Sequence, residues 1–531
     1  MTVRVPLRPS LTVRIVSDDT WDGVTCFVPE RLSHYSCAPS SKQSEHGMAE
    51  GDSFSLRAPD VRQQPVSVTR QMAASLPNLR AIAEQKGLKI HHLGAGYPHP
   101  EITDPRGYIA HREAYYLWRQ QLEGVNDPTQ VSEFLREAYS YTDTLGPRGV
   151  RESFASVYGN DWNLRLNPDR LIPTVGATGG ISLVCSVFER PGKPVAYITD
   201  APTYAGFLAR ATLNQGTAIF SVEMDTEGPN IDAFRAQIRA ARAAGYFVPC
   251  YYSVPDGHNP AGFSFSQRRR EAVLAVAKEE GILILEDGPY LYINYAQPHE
   301  RARPFLSLDS KQTIHLFSAS KIGLPGPRVA FVYTDAVLSI GDGRQVPLAD
   351  LLLTEASSDL LFQNPEALRG FEALLHDAPV ADADGSTKGQ PFRLRQSLWD
   401  VAEPKLGIYR ENRAIMMDGF KKYLGDYPEY FAWTTPQAGF FSVFTFLGDR
   451  VTTDDAFISR LVSEHGVVAI PLYAFYPPDA RKRRPRAGMD QLRLSFCFTE
   501  STGEQRVRDM MESVRAFCHA ARVEAGLPGL A

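Results

Sequence analysis

No stretch of this chain approaches the roughly 20 consecutive apolar residues that a membrane-spanning helix requires. The longest apolar runs, such as GILILED and RVAFVY, fall far short, so no span is expected. A signal-peptide core is missing as well. The N-terminal segment MTVRVPLRPSLTVRIVSDDTWDG scatters arginines without a continuous apolar stretch and reaches acids at Asp18 and Asp19. Neither sign of charge dominates, with 56 basic against 61 acidic residues. That balance gives no electrostatic basis for a nucleic-acid binder or a polybasic membrane anchor. The six cysteines (Cys26, Cys37, Cys185, Cys250, Cys497, Cys518) form no C-x-x-C pair, which argues against a zinc site or a disulfide scaffold and for reduced, packing thiols. No internal repeat occurs, so solenoids and propellers drop out. What is left is a cytoplasmic enzyme working on a small molecule, with neither nucleic acid nor membrane as partner.

The chain's 531 residues suffice for one large core and a smaller one. Residues 1–60, rich in Ser, Pro, Arg and Asp, read as a poorly ordered extension, and Met48 is a plausible start for the folded protein. From about 130 to 335, short apolar runs alternate with amphipathic patterns. RLIPTVGATGG reads as strand then helix start, PVAYITDAPTY as strand then loop, and IDAFRAQIRAARAAG as a helix ended by Gly245. YFVPCYYSVPDGHNPAG reads as strand then loop, and SFSQRRREAVLAVAKEEG as a helix capped by Ser264 or Ser266. ILILEDGPY is a buried strand ending on a carboxylate. Such alternation predicts an α/β domain with a mainly parallel sheet, whose ligands gather beyond the carboxyl ends of the strands. Gly176, Tyr204, Asn259, Asp287 and Lys321 all fall at such ends. After helices interrupted by the polar segment HDAPVADADGSTKGQP, the chain closes with an α+β mixture.

Lys321 ends an apolar run and follows two hydroxyls in SASKIGLPGPR. It reads either as a surface lysine at a strand end or as a Schiff-base lysine made nucleophilic by desolvation. The aldehyde partner for the second reading is pyridoxal 5'-phosphate, which needs a carboxylate at its ring nitrogen and a cradle for its phosphate. Asp287 suits the nitrogen, since an acid on a central strand is costly without a cation, although solvation at the strand end is the plain alternative. Tyr290 and Asn259 are placed to reach the ring oxygen. Gly176, Ala177 and Thr178 offer backbone N–H groups at a helix start for an anion, joined by Ser318, Ser320 and Arg328. Tyr204 could lay its ring on the cofactor or belong to the core. Arg493, between apolar neighbours in QLRLSF, either snorkels to solvent or meets a substrate carboxylate. The basic tract DARKRRPRAG reads as a solvated loop, with attraction of an anion as the alternative.

The order of LGAGYPHP, YTDTLGPRGVRESFASVYG, VGATGG, APTYAG, VPDGHNPAG, RRREAVLAVAKEEGILILEDGPY, SASKIGLPGPR, TTPQAGFF and LRLSF resembles the fold-type I pyridoxal-phosphate enzymes. The likeness is greatest to the class I and II aminotransferases and covers about residues 70–520. It implies a large domain with a mostly parallel, seven-stranded type of sheet flanked by helices, plus a smaller α+β domain from both chain ends. The corresponding boundaries are a 1–60 extension, an arm and part of the smaller domain over 61–135, a large domain over 136–395 with an insertion at about 336–395, and a closing domain over 396–531. The resemblance implies further that Lys321 links to the cofactor and shuttles the proton. Asp287 keeps the ring nitrogen protonated, and Asn259 and Tyr290 bond the ring oxygen. Ala177, Thr178, Ser318 and Arg328 bind phosphate, Tyr204 stacks, Gly96 lies near substrate and Arg493 clamps its α-carboxylate. Tyr141 reaches the phosphate of a second subunit, so a homodimer with shared sites is implied. QAG in place of a double glycine before Phe440 and Phe441, the extension and the insertion depart from the common pattern.

Transamination of an amino acid or similar molecule with a keto-acid co-substrate, in a specialised biosynthetic role, is the leading expectation. Elimination, replacement, C–C bond formation and decarboxylation use the same machinery and stay open. A cofactor-binding regulator is disfavoured, because residues 1–60 are too rich in proline for a helix-turn-helix.

Overall fold

Seven short runs of β-branched and aromatic residues form the central sheet: β1 (Ile172–Val175), β2 (Val195–Ala201), β3 (Thr217–Asp225), β4 (Cys250–Ser253), β5 (Leu283–Asp287), β6 (Thr313–Ser318) and β7 (Val329–Tyr333). The computed structural model describes residues 68–530 except 128, 190, 191, 215 and 380–389. The 1–60 extension, Met48, Cys26, Cys37 and the centre of the polar insertion lie outside the described residues. The strands lie in the order β1-β7-β6-β5-β4-β2-β3, and Gly228–Pro229 adds a two-residue eighth strand beyond β3. The seven-stranded expectation therefore gains one short edge strand. All but β7 and that edge run parallel. Helices cover both faces, which is why β2, β4, β6 and β7 are buried along their whole length and read as continuous apolar runs. Successive side chains still divide between the faces: Tyr252 and Leu316 pack with helix Gly176–Glu189, and Tyr251 packs with helices Ile231–Ala243 and Gln267–Glu279.

Local signals explain the helix ends. Ser266 Oγ accepts from Arg269 N at 3.1 Å, which settles the choice between Ser264 and Ser266. Asn230 accepts from Ala233 N at 2.9 Å, and Gly245 follows helix Ile231–Ala243 with φ +88°. Where a loop is predicted after β2, a short helix, Ala205–Ala211, begins directly after Tyr204.

A second, antiparallel sheet contains β8 (Phe431–Trp433), β9 (Phe441–Phe446), β10 (Ile470–Pro471) and β11 (Gln491–Ser495) in the order β8-β9-β11-β10. Helices Trp399–Leu424 and Gly503–Glu524 supply Phe420, Val514 and Phe517 to its core. The basic tract differs from the predicted solvated loop: Pro478–Arg483 is helical. Arg483 is tied to Asp479 Oδ2 at 2.6 Å and to Ser221 O at 3.0 Å, and Arg484 to Glu223, so these cations are already partnered. Cys185, Cys250, Cys497 and Cys518 are free and buried, as the scattered pattern predicts. Among the described residues no helix is long and apolar enough to cross a membrane, and no cluster of His, Cys, Asp or Glu could hold a metal ion.

Candidate active site

Because β1, β2, β4, β5 and β6 are parallel, their carboxyl ends share one edge of the sheet. The segments carrying Gly176, Tyr204, Asn259, Asp287 and Lys321 therefore emerge side by side. Strand β7 runs the other way, so its amino end brings Arg328 to the same edge. The second sheet contributes Arg493 from the middle of β11, where it pairs in register with Ile470. These groups surround a cavity of about 420 Å³, within the usual range for small-molecule sites.

Lys321 lines this cavity and donates from Nζ to Gly96 O at 2.7 Å. Among the described residues no carboxylate forms an ion pair with it; burial, together with the nearby Arg493 and Arg328 charges and against the Asp287 charge, lowers its pKa to about 8. A substantial share of the amine is thus neutral and nucleophilic near neutral to mildly alkaline pH.

Asp287 is buried at the end of β5. Its Oδ2 accepts from Tyr252 OH at 2.8 Å, while its buried Oδ1 has no hydrogen-bond partner among the described residues. Burial raises its pKa to about 6, against the opposing Tyr252 hydrogen bond. A buried carboxylate oxygen left unpaired on a cavity wall calls for a cationic N–H donor from a ligand.

The anion cradle is built from β1, β6 and β7. Arg328 takes a left-handed backbone, φ +60°, and its Nη1 donates to Ser320 Oγ at 3.1 Å. Ser318 Oγ in turn donates to Ser320 Oγ at 3.1 Å. A Cβ at Gly176 would lie 2.1 Å from Arg328 Nη2, so only glycine lets the guanidinium lie against the start of helix Gly176–Glu189. Ala177 and Thr178 follow on that first turn and line the cavity. Fixed guanidinium, hydroxyls and a helix N-terminus together suit a phosphate.

On the opposite wall Arg493 is buried, donating to Asn259 Oδ1 at 3.0 Å and Gly94 O at 2.9 Å, with its guanidinium 4.3 Å from the Phe441 ring centroid. Neither hydrogen-bond partner is an anion, and burial lowers its pKa to about 10. Arg493 is therefore not snorkelling; it is a buried cation with no anionic partner among the described residues. Tyr290 is buried with its ring 5.7 Å from Lys321 Nζ, and Tyr204 borders the same cavity. Gly96 holds the floor through its carbonyl.

Of the residues predicted for the site, Tyr141 stands apart: it is 85% exposed, beside Phe362, and does not line this cavity. Gly176 supports Arg328 from behind without lining the cavity. Sequence reasoning missed Tyr252, hidden in the apolar run of β4, and Leu76, His92 and Tyr97, which the N-terminal part of the chain brings to the cavity mouth. A tyrosine inside a buried strand, and a leucine, a histidine and a tyrosine more than 70 residues before the first strand of the central sheet, carry no signal of their own in the sequence.

The sequence matches the aminotransferase class I and II family over residues 135–505. The chain therefore belongs to that family. Among relatives, it is 26% identical over 433 residues to the (S)-3,5-dihydroxyphenylglycine transaminase of Amycolatopsis orientalis, covering 81% of this chain and 88% of that one. It is also 28% identical over 307 residues to the aminotransferase tdiD of Emericella nidulans, covering 56% and 62%. Among solved structures, the kynurenine aminotransferase of Pyrococcus horikoshii superposes with a TM-score of 0.66 at 20% identity, over 89% of this chain and 97% of that one. Thermus thermophilus aspartate aminotransferase gives 0.59 at 16% identity, over 86% and 100%. The fold is that of fold-type I enzymes, as the order of motifs implies.

Proposed function

We propose that this enzyme uses pyridoxal 5'-phosphate to move an amino group between an amino acid and a keto acid. One observation carries the reading: Lys321, with its lowered amine pKa, shares a single cavity with Asp287, whose Oδ1 has no partner among the described residues, with the Arg328 cradle and with Arg493, whose two hydrogen-bond partners are both neutral. The residues fit the cofactor at each of its demands. Asp287 Oδ1 would accept from the ring N–H, and Ala177, Thr178, Ser318, Ser320 and Arg328 would hold the phosphate. Tyr290 and Asn259 would meet the ring oxygen and Tyr204 a ring face. When bound, the cofactor supplies an electron sink for negative charge developing at the substrate α-carbon. Arg493 fixes the α-carboxylate, so that the Cα–H bond has one orientation before the proton moves. Lys321 Nζ, neutral for much of its population near pH 8, is the base that would take that proton from the α-carbon and hold it at Nζ. Tyr141, exposed on this chain, supports a homodimer in which it reaches the partner's phosphate site. The similarity to an (S)-3,5-dihydroxyphenylglycine transaminase, whose named substrate is not one of the protein-building amino acids, supports a specialised biosynthetic role.

Mixing the cofactor-loaded protein with an amino acid, without acceptor, tests the reaction type. Stoichiometric keto acid without ammonia is expected by proton NMR; continuous release of ammonia and keto acid would identify a lyase instead. Arg493→Gln is expected to lower kcat/KM about 100-fold for every amino acid, since it removes the charged partner of a buried carboxylate. Simple amines lacking the carboxylate should lose far less, and equal losses would refute the clamp. Tyr252→Phe removes the hydrogen bond that opposes the raised pKa of Asp287. Cofactor affinity is expected to fall up to about tenfold, read by equilibrium dialysis, with the loss growing below pH 7 as Asp287 takes up a proton.

A further inference from the structure

We propose that His258, tied to Asp200 of β2, is a positioning residue that orients the Asn259 side chain between Arg493 and the ring oxygen of the cofactor. This inference rests on the cofactor site proposed above and adds to it two residues that do not line the cavity. His258 is fully buried, and each of its four polar atoms is engaged. Its backbone N–H donates to Phe263 O at 2.8 Å, and its carbonyl accepts from Gly262 N at 2.6 Å. Ring Nδ1 accepts from Ala261 N at 3.3 Å. A backbone N–H can only donate, so the ring proton sits on Nε2, which donates to Asp200 Oδ2 at 3.3 Å. The first three contacts close the turn on itself. The fourth fastens it to the central sheet.

Asp200 is fully buried as well. Its carboxylate accepts from Tyr251 OH, from Ser253 Oγ at 2.6 Å and from His258, with no lysine or arginine paired to it among the described residues. Burying an acid without a cation is costly, and an apolar contact would hold a loop for less. A fully satisfied polar link instead selects one geometry among those that packing alone allows. The same loop already has a strong anchor at Asp256, which takes Arg270 at 2.7 and 3.1 Å. What the link at His258 adds is control of the next residue, Asn259. Asn259 Oδ1 accepts from Arg493 Nη1 at 3.0 Å, which leaves the amide Nδ2 as the donor that can serve the cavity it lines. One backbone rotation there would displace both contacts, so the turn that His258 closes sets the carboxylate clamp and the ring-oxygen donor together.

Titration of the protein loaded with pyridoxal 5'-phosphate between about pH 5 and 10, followed by its visible absorbance, tests this. An N–H on the ring oxygen draws off part of its negative charge, so the proton on the nitrogen that joins Lys321 to the cofactor leaves at lower pH. His258→Phe keeps a ring beside Phe263 and Phe265, whose planes lie 11° and 18° from that of His258, and loses the donor to Asp200. It is expected to raise the midpoint by about one pH unit. Asn259→Ala should raise it at least as far, and the double variant no further than Asn259→Ala alone, since His258 acts through Asn259. His258→Gln, whose amide N–H can reach Asp200, should return the midpoint close to that of the wild type. An unmoved midpoint in His258→Phe, shifts that add in the double variant, or a His258→Gln shift as large as that of His258→Phe would each overturn the inference. A role in stability alone lowers the melting temperature and leaves the midpoint in place. If His258→Phe does not fold, Asp200→Asn, which keeps the shape of the acceptor and loses its charge, must raise the midpoint, and an unmoved midpoint there overturns the inference equally. A wild type that takes up no cofactor rejects the cofactor reading and this inference with it, whereas a titrating wild-type band that the variants leave unmoved rejects this inference alone.

Discussion

Lys321→Ala is expected to lower kcat on the order of 10⁴-fold while leaving the melting temperature of the cofactor-free protein within a few degrees of the wild type. Lys321 is asked to do two things: attach the cofactor and carry the substrate's proton. A positioned general base alone supplies roughly 10²–10⁴ of rate. Its side chain has the qualifications for both, because it is partly accessible from the cavity and its amine is held near pKa 8 by burial. Among the described residues no acid forms an ion pair with it; the contact at 2.7 Å is with the neutral carbonyl of Gly96. A strand-end surface lysine would instead be solvated and dispensable. Borohydride reduction gives a second readout: it should fix cofactor to the wild-type chain, detected by mass, and not to the variant. A variant within tenfold of wild-type kcat, or one in which borohydride still fixes cofactor to the chain, would remove Lys321 from the mechanism.

The site was legible in the sequence where chemistry coincides with strand ends. Asp287, Lys321 and Gly176 each follow an apolar run; parallel pairing of β5 with β6 gathers the first two, and β7, antiparallel to both β6 and β1, brings the end of β1 to the same edge. Arg328 was legible for a different reason. It lies seven residues after Lys321, across a tight turn into an antiparallel strand, which returns the chain to the same edge. Tyr252 was not legible. Its hydroxyl reaches Asp287 from inside β4, where tyrosine and phenylalanine give the same burial pattern. His92 was hidden likewise, since its neighbours in the cavity wall, Val468 and Ile470, lie almost 380 residues away in sequence. The basic tract is solvent-exposed as its composition predicts, but Pro478–Arg483 is helical, with Arg483 held by Asp479 and Ser221 and Arg484 by Glu223, partners more than 250 residues away in two of the three cases.

Asp287→Asn is expected to act with opposite signs on the empty and the loaded protein. In the cofactor-free state the carboxyl's pKa is raised from 3.8 to about 6 by burial. A raised folded-state pKa means that the folded protein holds this proton more tightly than the unfolded chain. The resulting stability is fully present below about pH 4 and is lost as pH rises through 6. At pH 8 the ionised, half-unpartnered carboxylate therefore costs about 3 kcal/mol relative to a neutral group of the same shape. Asparagine is such a group, and the cofactor-free variant should melt about 3 °C higher than wild type at pH 8, an advantage that shrinks below pH 6 and vanishes near pH 4. With cofactor present the sign reverses. An amide cannot supply the negative charge that keeps the ring nitrogen protonated, so cofactor affinity should fall and kcat drop on the order of 10²–10³-fold. Differential scanning calorimetry of both proteins, with and without pyridoxal 5'-phosphate at pH 4, 6 and 8, reads the crossing directly. If the empty variant melts lower than wild type at pH 8, then Tyr252 and the surrounding charges already satisfy Asp287 and its unpaired oxygen is not reserved for a ligand. If it melts higher, the wild type carries an instability in its empty form that a bound cationic ring removes, and the same carboxylate that weakens the fold is what holds the cofactor.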